Sequence, residues 1–228
     1  MLADDEASRG AWLGIDGAFK TLTAGVTLVE SSTVSPAWIG ELSERAHRAR
    51  AEFIDAPVAG SRVQAEGGQL TFMTGGSDAA INAVTPIFLA MGKAVHHLGP
   101  VGSGAKLKLI NNFLCGVQAA SLAEGLAWLE RSGLDREKAL EILKGGAPGS
   151  PLLAGLSSRM TSRDYTVNFS VKLLSKDLQY AHDAAAENGI DLTTAANARA
   201  LFDRAVALGY GDQDISSVVE PLREIPQR

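Results

Sequence analysis

The length, composition and charge of this chain exclude several classes of protein. Its 228 residues, 46% hydrophobic and 21% charged, are enough for one large or two modest globular domains. The net charge of −5 provides no broad basic surface for nucleic acid, and the one cysteine, Cys115, excludes an internal disulfide framework. No apolar run approaches the roughly 18 residues of a membrane span, and the acidic start lacks signal-peptide features, so the cytoplasm is the predicted location.

The first hundred residues alternate short strand-like runs with helix-like patterns. Predicted strands lie at 27–30, 52–58, 69–74 and 94–98, and predicted helices lie at 4–13, 36–50 and 78–91. Ser35 followed by Pro36 is typical of a helix that begins with a capping side chain and a proline in its first turn. Strands alternating with helices predict an α/β layer with a largely parallel sheet.

The pattern turns helical after Gly99. Residues 104–131 predict one helix of about 42 Å, more than double the average length, which indicates a spine between two domains. Gly133 is placed to end it, and Asp135 to cap the next helix. Further helices are predicted at 151–160, 172–188, 193–208 and 215–224. The expected organisation is therefore an α/β domain at 1–100 and an all-α domain at 101–228.

The segment from Gly99 to Asn112 is the most informative one for chemistry. A glycine-rich turn leads into a helix in which Lys108 and Asn112 are four residues apart and lie on one face. Lys108 could exchange a proton, and Asn112 could hold the reacting oxygen. Lys106 points about 200° away from Lys108, so the two lysines cannot share a site. The alternative interpretation is that each lysine is a solvated surface charge.

Two predicted strand ends form further candidate sites. The hydroxyl groups of Ser32 and Thr33 follow the first strand, where ligands of α/β sheets bind. The alternative is a plain helix cap. The turn Ala59, Gly60 and Ser61 follows the second strand and offers backbone N–H groups to a carboxylate, with an ordinary loop as the alternative.

A third candidate is the pair Lys176 and Asp177 in a predicted helix. Adjacent residues of a helix do not face one another, so we expect one charge to pair elsewhere while the other reaches a cleft. The alternative is a solvated helix surface. Four histidines show no spacing typical of metal ligands, and no metal site is predicted: His47, His96, His97 and His182. Cys115 is interpreted as a small core residue.

Together these segments resemble the β-hydroxyacid dehydrogenases over nearly the whole chain. The family pattern Gly-x-x-Gly-x-Gly-x-x-x-Lys-x-x-x-Asn is long and specific, and its positions here are Gly99, Gly102, Gly104, Lys108 and Asn112. Residues 55–60 look like the substrate-binding motif Asp-Ala-Pro-Val-Ser-Gly. Residues 32–36 look like the family's Ser-Thr-x-x-Pro segment, and residues 176–178 like its Lys-Asp-Leu.

The resemblance implies a partial Rossmann-type parallel-sheet domain joined by a long helix to a helical C-terminal domain. It also implies an oxidoreductase that uses NAD or NADP on a small β-hydroxy acid or semialdehyde, and that pairs as a homodimer or higher oligomer. Lys108 would be the general acid/base and Asn112 would orient the substrate, whose carboxylate would lie on Ala59, Gly60 and Ser61. The implied cofactor contacts are Ser32, Thr33, Lys176 and Asp177.

The sequence departs from the family pattern in two places. Ala59 stands where relatives carry serine, which removes one hydrogen-bond donor from the carboxylate site. No Gly-x-Gly-x-x-Gly follows a strand, so we expect a chain that is shortened at its front. Since each strand–helix–strand unit takes ~30 or more residues, roughly 70 residues are expected to be absent. We therefore also expect impaired cofactor binding. One alternative is a non-catalytic remnant with a role in dimerisation or regulation. The other is an imine-reductase-like relative, and the presence of Lys108 argues against this second alternative.

Overall fold

The computed structural model describes residues 1–224, which form two compact units. The first unit ends at Asn111 and the second begins at Asn112. The domain boundary predicted after residue 100 stays a prediction, and the last four residues of the predicted second domain lie outside the described range. None of the helices described is long and apolar enough to cross a lipid bilayer.

The first unit alternates strands and helices. Its α-helices are α1 (Asp5–Leu13), α2 (Pro36–Arg48), α3 (Arg62–Glu66) and α4 (Asp78–Met91), followed by the first turns of α5 (Ser103–Arg131), and a 3₁₀ helix spans Ala18–Thr21. Its strands are β1 (Thr27–Glu30), β2 (Glu52–Asp55), β3 (Val58–Ala59), β4 (Leu70–Thr74) and β5 (Gly92–His97). The short helix α3 was not predicted from the sequence, because its five residues carry too little periodicity to signal it.

The strands form two small sheets. β1 and β2 pair in parallel, so that Glu30 and Asp55 end neighbouring strands. β4 pairs in parallel with β5 and antiparallel with β3. The α/β class is confirmed, but the prediction of one strand over 52–58 is wrong. Pro57 lacks the N–H that a continuous ladder needs, and the chain passes from the first sheet to the second there.

Two apolar clusters hold the first unit together, and both lie beside the strands. One cluster packs α2 against β1 and β2 and includes Trp38, Leu42 and Phe53. The other packs α4 against β2 and β4 and includes Ile54 and Phe88. Each of these side chains is at most 4% exposed. The strand ends that carry Glu30 and Asp55 therefore rest on a rigid support.

The second unit is helical, as predicted. After α5 it contains α6 (Arg136–Gly145), α7 (Pro151–Ser162), α8 (Val171–Ala186), α9 (Thr193–Ala205) and α10 (Glu220–Arg223). Asp135 caps α6 by accepting from the backbone N–H of Lys138. The helix predicted at 215–224 is wrong in type, because residues 215–219 form a 3₁₀ helix before α10. The helix predicted at 193–208 also ends early, since a π turn follows Ala205.

Candidate active site

The glycines that precede α5 are explained by the backbone. Gly99 and Gly102 have φ angles of +130° and +92°, in the left-handed region that favours glycine. A Cβ on Gly104 would lie 2.2 Å from the carbonyl oxygen of Met73. The glycine spacing at 99–104 is thus what the chain needs to bring the start of α5 against β4.

The carboxylate of Asp55 lies at the same helix start. It is fully buried and accepts hydrogen bonds from the N–H groups of Gly102 and Ala105, both at 2.7 Å. Burial raises the pKa of Asp55 above its usual range, against the opposing effect of these hydrogen bonds. The sequence interpretation placed Asp55 in a substrate-binding turn, but its side chain caps α5.

Lys108 lies one turn further along α5, and its side chain is held. Lys108 Nζ donates to the carbonyl oxygen of Val58 at 2.8 Å. Lys108 is half-buried, whereas Lys106 is exposed, as the predicted 200° separation requires. A carbonyl that accepts one N–H of an amine fixes the direction of its remaining N–H groups or lone pair. The contact therefore holds Lys108 Nζ in one direction, and its role in proton transfer stays a prediction.

The predicted substrate turn follows Val58 directly. Gly60 has a φ of +123°, and a Cβ there would lie 3.0 Å from Gln64 Cβ. The backbone N–H and the hydroxyl of Ser61 both donate to Gln64 Oε1, at 2.9 and 2.6 Å. Ala59, at the end of β3, pairs with Thr71 of β4. The role of this turn in carboxylate binding stays a prediction, and the sequence interpretation missed Gln64 as the acceptor of Ser61.

The residues after β1 form a hydrogen-bonded cluster. Ser32 is buried, accepts from the N–H of Leu2 at 2.8 Å and donates its own N–H to Glu30 at 2.7 Å. Burial by itself would raise the pKa of Glu30, but hydrogen bonds from Ser8, Trp12 and Ser32 outweigh it and the pKa is lowered. Much of the hydrogen-bonding capacity of Ser32 is therefore used within the protein.

A cleft of about 300 Å³ opens at this end of β1. Its lining combines apolar residues with Glu30, Ser31 and Ser32. Thr33, next in the chain, is half-buried. Ser35 accepts from the N–H of Trp38, so the capping interpretation of Ser35 and Pro36 is confirmed. A role for Ser32 and Thr33 in ligand binding stays a prediction.

In the second unit, Asp177 brings two other predicted site residues together. Asp177, only 2% exposed, accepts from Asn112 Nδ2 at 2.6 Å, and its other oxygen lies 3.0 Å from Lys176 Nζ. We expected one charge of the pair to find a partner elsewhere, and Asp177 does so in Asn112. The premise that the two adjacent charges do not meet is wrong, because the flexible four-carbon stem of lysine lets the ammonium fold back onto the neighbouring carboxylate. Lys176 Nζ also lies 5.1 Å from the ring centre of Tyr180.

A close helix contact brings α8 to this position. A Cβ on Gly116 would lie 2.9 Å from Leu178 Cδ2, so the glycine permits α8 to approach α5 next to Asp177. Cys115 is half-buried rather than part of the core. Within residues 1–224, no group of three or more histidine, cysteine, aspartate or glutamate side chains is arranged to hold a metal ion.

Two family profiles match the chain. Residues 1–99 match the NAD binding domain of 6-phosphogluconate dehydrogenase. Residues 102–222 match the profile described as NAD-binding of NADP-dependent 3-hydroxyisobutyrate dehydrogenase. The two matches meet at the glycine-rich turn that precedes α5, and together they extend over nearly all of the described residues.

Individual proteins with related names are also similar to this chain. Glyoxylate/succinic semialdehyde reductase 1 of Arabidopsis thaliana is 33% identical over 98% of this chain and 77% of the relative. The 2-(hydroxymethyl)glutarate dehydrogenase of Eubacterium barkeri is 33% identical over 91% of this chain and 69% of the relative. A crystal structure of 3-hydroxyisobutyrate dehydrogenase from Salmonella typhimurium superposes with a TM-score of 0.86 at 28% identity, over 96% of this chain and 76% of that one.

Proposed function

The chain belongs to the β-hydroxyacid dehydrogenase family of NAD(P)-dependent oxidoreductases, and from that premise we propose that it interconverts a small β-hydroxy acid and its semialdehyde with Lys108 as general acid/base. The observation that carries the proposal is the half-buried Lys108, whose Nζ is held 2.8 Å from the carbonyl oxygen of Val58. Relatives named as reductases of glyoxylate and succinic semialdehyde support this substrate class.

The residues present fit the nicotinamide end of an NAD(P) molecule. The cleft of about 300 Å³ after β1 lies at the carboxyl end of a parallel strand, where dinucleotides bind, and its volume suits one ring system. We propose Ser32 and Thr33 of the first unit as contacts of the cofactor, and Lys176 and Asp177 of the second unit as further contacts. The cofactor, when bound, accepts or donates the hydride.

In oxidation, the proton of the substrate hydroxyl passes to the neutral amine of Lys108 as the C–O bond becomes a carbonyl. In reduction, the ammonium form of Lys108 returns that proton to the oxygen. The Val58 carbonyl accepts one N–H of Lys108 in either form, so the amine keeps its direction through both steps. Asn112 is proposed to orient the substrate oxygen, and the turn at Ala59, Gly60 and Ser61 to bind the carboxylate.

Assembly as a homodimer or higher oligomer is a second part of the proposal. In the second unit, Leu114, Trp128 and Ile142 are 59%, 78% and 72% exposed. An apolar groove of about 410 Å³ along α5 adds to this surface. Exposed apolar area of this kind favours association. Analytical ultracentrifugation tests it, and a monomer at micromolar concentration would contradict it.

Substitution of Lys108 tests the catalytic proposal. We expect Lys108→Ala to lower kcat by about 10²- to 10⁴-fold, the usual contribution of general acid/base catalysis. Lys108→Arg should lower kcat as well, because a guanidinium keeps its proton near neutrality. Lys106→Ala is the matched control, since Lys106 is exposed on the same helix. The assay follows NADPH and NADH absorbance with succinic semialdehyde, and full turnover by Lys108→Ala would refute the proposed role.

Impaired cofactor binding by this chain stays a prediction from the sequence. Fluorescence titration of NADH and NADPH measures it without requiring turnover, and also decides between the two cofactors. Submicromolar binding would contradict the prediction while leaving the role proposed for Lys108 unaffected. A cytoplasmic location likewise stays a prediction.

A further inference from the structure

We infer that Asp55 is a positioning residue for Lys108. Its buried carboxylate holds the first turn of α5 against the end of β2, and this sets where Lys108 Nζ meets the carbonyl of Val58. The inference rests on the proposed function in one respect, namely that Lys108 transfers the proton. All of the residues that carry it belong to the first unit.

The first link joins the carboxylate to the helix. Asp55 Oδ1 accepts from the N–H of Gly102 and Oδ2 from the N–H of Ala105, each at 2.7 Å. The first N–H groups of a helix have no acceptor within the helix, so a buried helix start needs an external one. A carboxylate is a strong acceptor for this purpose, because the hydrogen bonds are charge-assisted and the helix dipole favours a negative charge.

The second link joins Asp55 to Val58 and does not involve α5. The backbone of Asp55 pairs with Gly75 in both directions, at 3.1 and 2.9 Å. Pro57 accepts from the N–H of Met73 at 2.9 Å, and Val58 pairs with Phe72 in the sheet. The segment 55–58 is therefore anchored on β4 and the residues that follow it, and the Asp55 side chain ties the first turn of α5 to it.

The carboxylate is tightly enclosed. A Cβ on Gly75 would lie 2.4 Å from Asp55 Oδ1, and a Cβ on Gly104 would lie 2.9 Å from Asp55 Oδ2. Two glycines thus make room for this carboxylate, one in the turn after β4 and one in the first turn of α5. A side chain larger than hydrogen at either glycine would therefore displace the carboxylate from the position in which it holds the helix.

These links predict what Asp55→Asn does to Lys108. Asparagine keeps the shape, but its NH₂ group replaces one acceptor and faces a backbone N–H, so one of the two hydrogen bonds is lost. The first turn of α5 then shifts, and Lys108, one turn beyond Ala105, loses its fixed distance to Val58. Because small misplacements of reacting groups cost up to about 10²-fold in rate, we expect kcat to fall about ten- to hundredfold, with KM nearly unchanged.

The experiment combines kinetics with a measurement that needs no turnover. Pulse acetylation and peptide mass spectrometry give the labelling rate of Lys108 relative to Lys106, which is exposed on the same helix and serves as internal reference. In the wild type we expect Lys108 to react more slowly than Lys106. In Asp55→Asn the ratio of Lys108 to Lys106 labelling should rise several-fold. Asp135→Asn, the same change in the cap of α6, should alter neither kcat nor the ratio.

The results of these measurements decide whether Asp55 positions Lys108. A wild-type kcat together with a wild-type labelling ratio in folded Asp55→Asn overturns the inference. If Asp55→Asn does not fold, Ala105→Pro takes its place, because it removes one N–H donor to Asp55 while proline remains compatible with a first helical turn. An unchanged ratio of Lys108 to Lys106 labelling in Ala105→Pro would also overturn the inference. If Lys108→Ala keeps full turnover, the proposed function fails, while the labelling ratio still reports whether Asp55 positions Lys108.

Discussion

Asp55 in the first unit and Asp177 in the second are both buried, but they accept hydrogen bonds from donors of different kinds. Asp55, in the first unit, accepts from backbone N–H groups of α5. Asp177, in the second, accepts from the side chain of Asn112 and pairs with Lys176. A carboxylate bound to backbone fixes a helix, whereas one bound to side chains fixes the orientation of those groups. Substitutions at the two sites should therefore have different signatures.

Asp177→Asn should have the largest effect of the substitutions that test this comparison. The change removes the negative charge that holds Lys176, so Lys176 and Asn112 lose their common partner. We expect turnover to fall by up to about 10²-fold, since both residues are proposed to contact cofactor or substrate. Steady-state kinetics measure it. Asp183→Asn is the control, because Asp183 is a largely exposed carboxylate on the same helix, α8. Equal activities of the two variants would contradict the role of Asp177.

Ala59→Ser should strengthen substrate binding by the first unit. The serine adds a hydroxyl donor to the turn that is proposed to bind the substrate carboxylate. A hydrogen bond to a charged group contributes about 1.5–3 kcal/mol, so we expect KM for a carboxylate substrate to fall about tenfold or more. The control is an uncharged aldehyde, whose KM should stay the same. A KM that falls equally for both would show that residue 59 does not contact the carboxylate.

Gly116→Ala tests the helix contact that positions Asp177. The new Cβ would lie 2.9 Å from the buried Leu178, and such overpacking costs about 1–3 kcal/mol. Gly125→Ala in the same helix meets nothing within 4 Å and should instead add about 0.5–1 kcal/mol through helix propensity. Urea unfolding measures both free energies. Stabilisation by Gly116→Ala would show that α5 and α8 have room for a methyl group.

The smallest expected effect is a pair of opposite pH dependences within the first unit. The pKa of Glu30 is lowered from 4.5, so its stabilising contribution is present above pH 4.5 and is lost as the pH falls further. The pKa of Asp55 is raised from 3.8, so its protonation favours the folded state as the pH falls through its raised pKa towards 3.8. Glu30→Gln should therefore lose less stability in acid than the wild type, and Asp55→Asn more. Urea unfolding between pH 7 and 3.5 gives the slope of the unfolding free energy against pH for the wild type and for each variant. If both variants differ from the wild-type slope in the same direction, the prediction is wrong.

Most helices and strands could be predicted from the sequence, because they rest on local signals. Ser35 with Pro36, and Asp135, mark helix starts that the structure confirms. The broken strand at Pro57 and the 3₁₀ helix before α10 could not be predicted, because pairing partners decide where a short apolar run stops. The family could be predicted as well, since the motif that ends at Asn112 is long.

The sequence by itself determined the glycine spacing before α5 and the relative directions of Lys106 and Lys108, since both follow from local backbone geometry. Only the tertiary structure decided what these residues contact. Gly102 and Ala105 donate to a carboxylate 47 and 50 residues earlier in the chain, Lys108 to a carbonyl 50 residues earlier, and Asn112 to Asp177, 65 residues later. Hydrogen bonds between such distant segments leave no periodic trace in the sequence, because they depend on how the strands and helices pack.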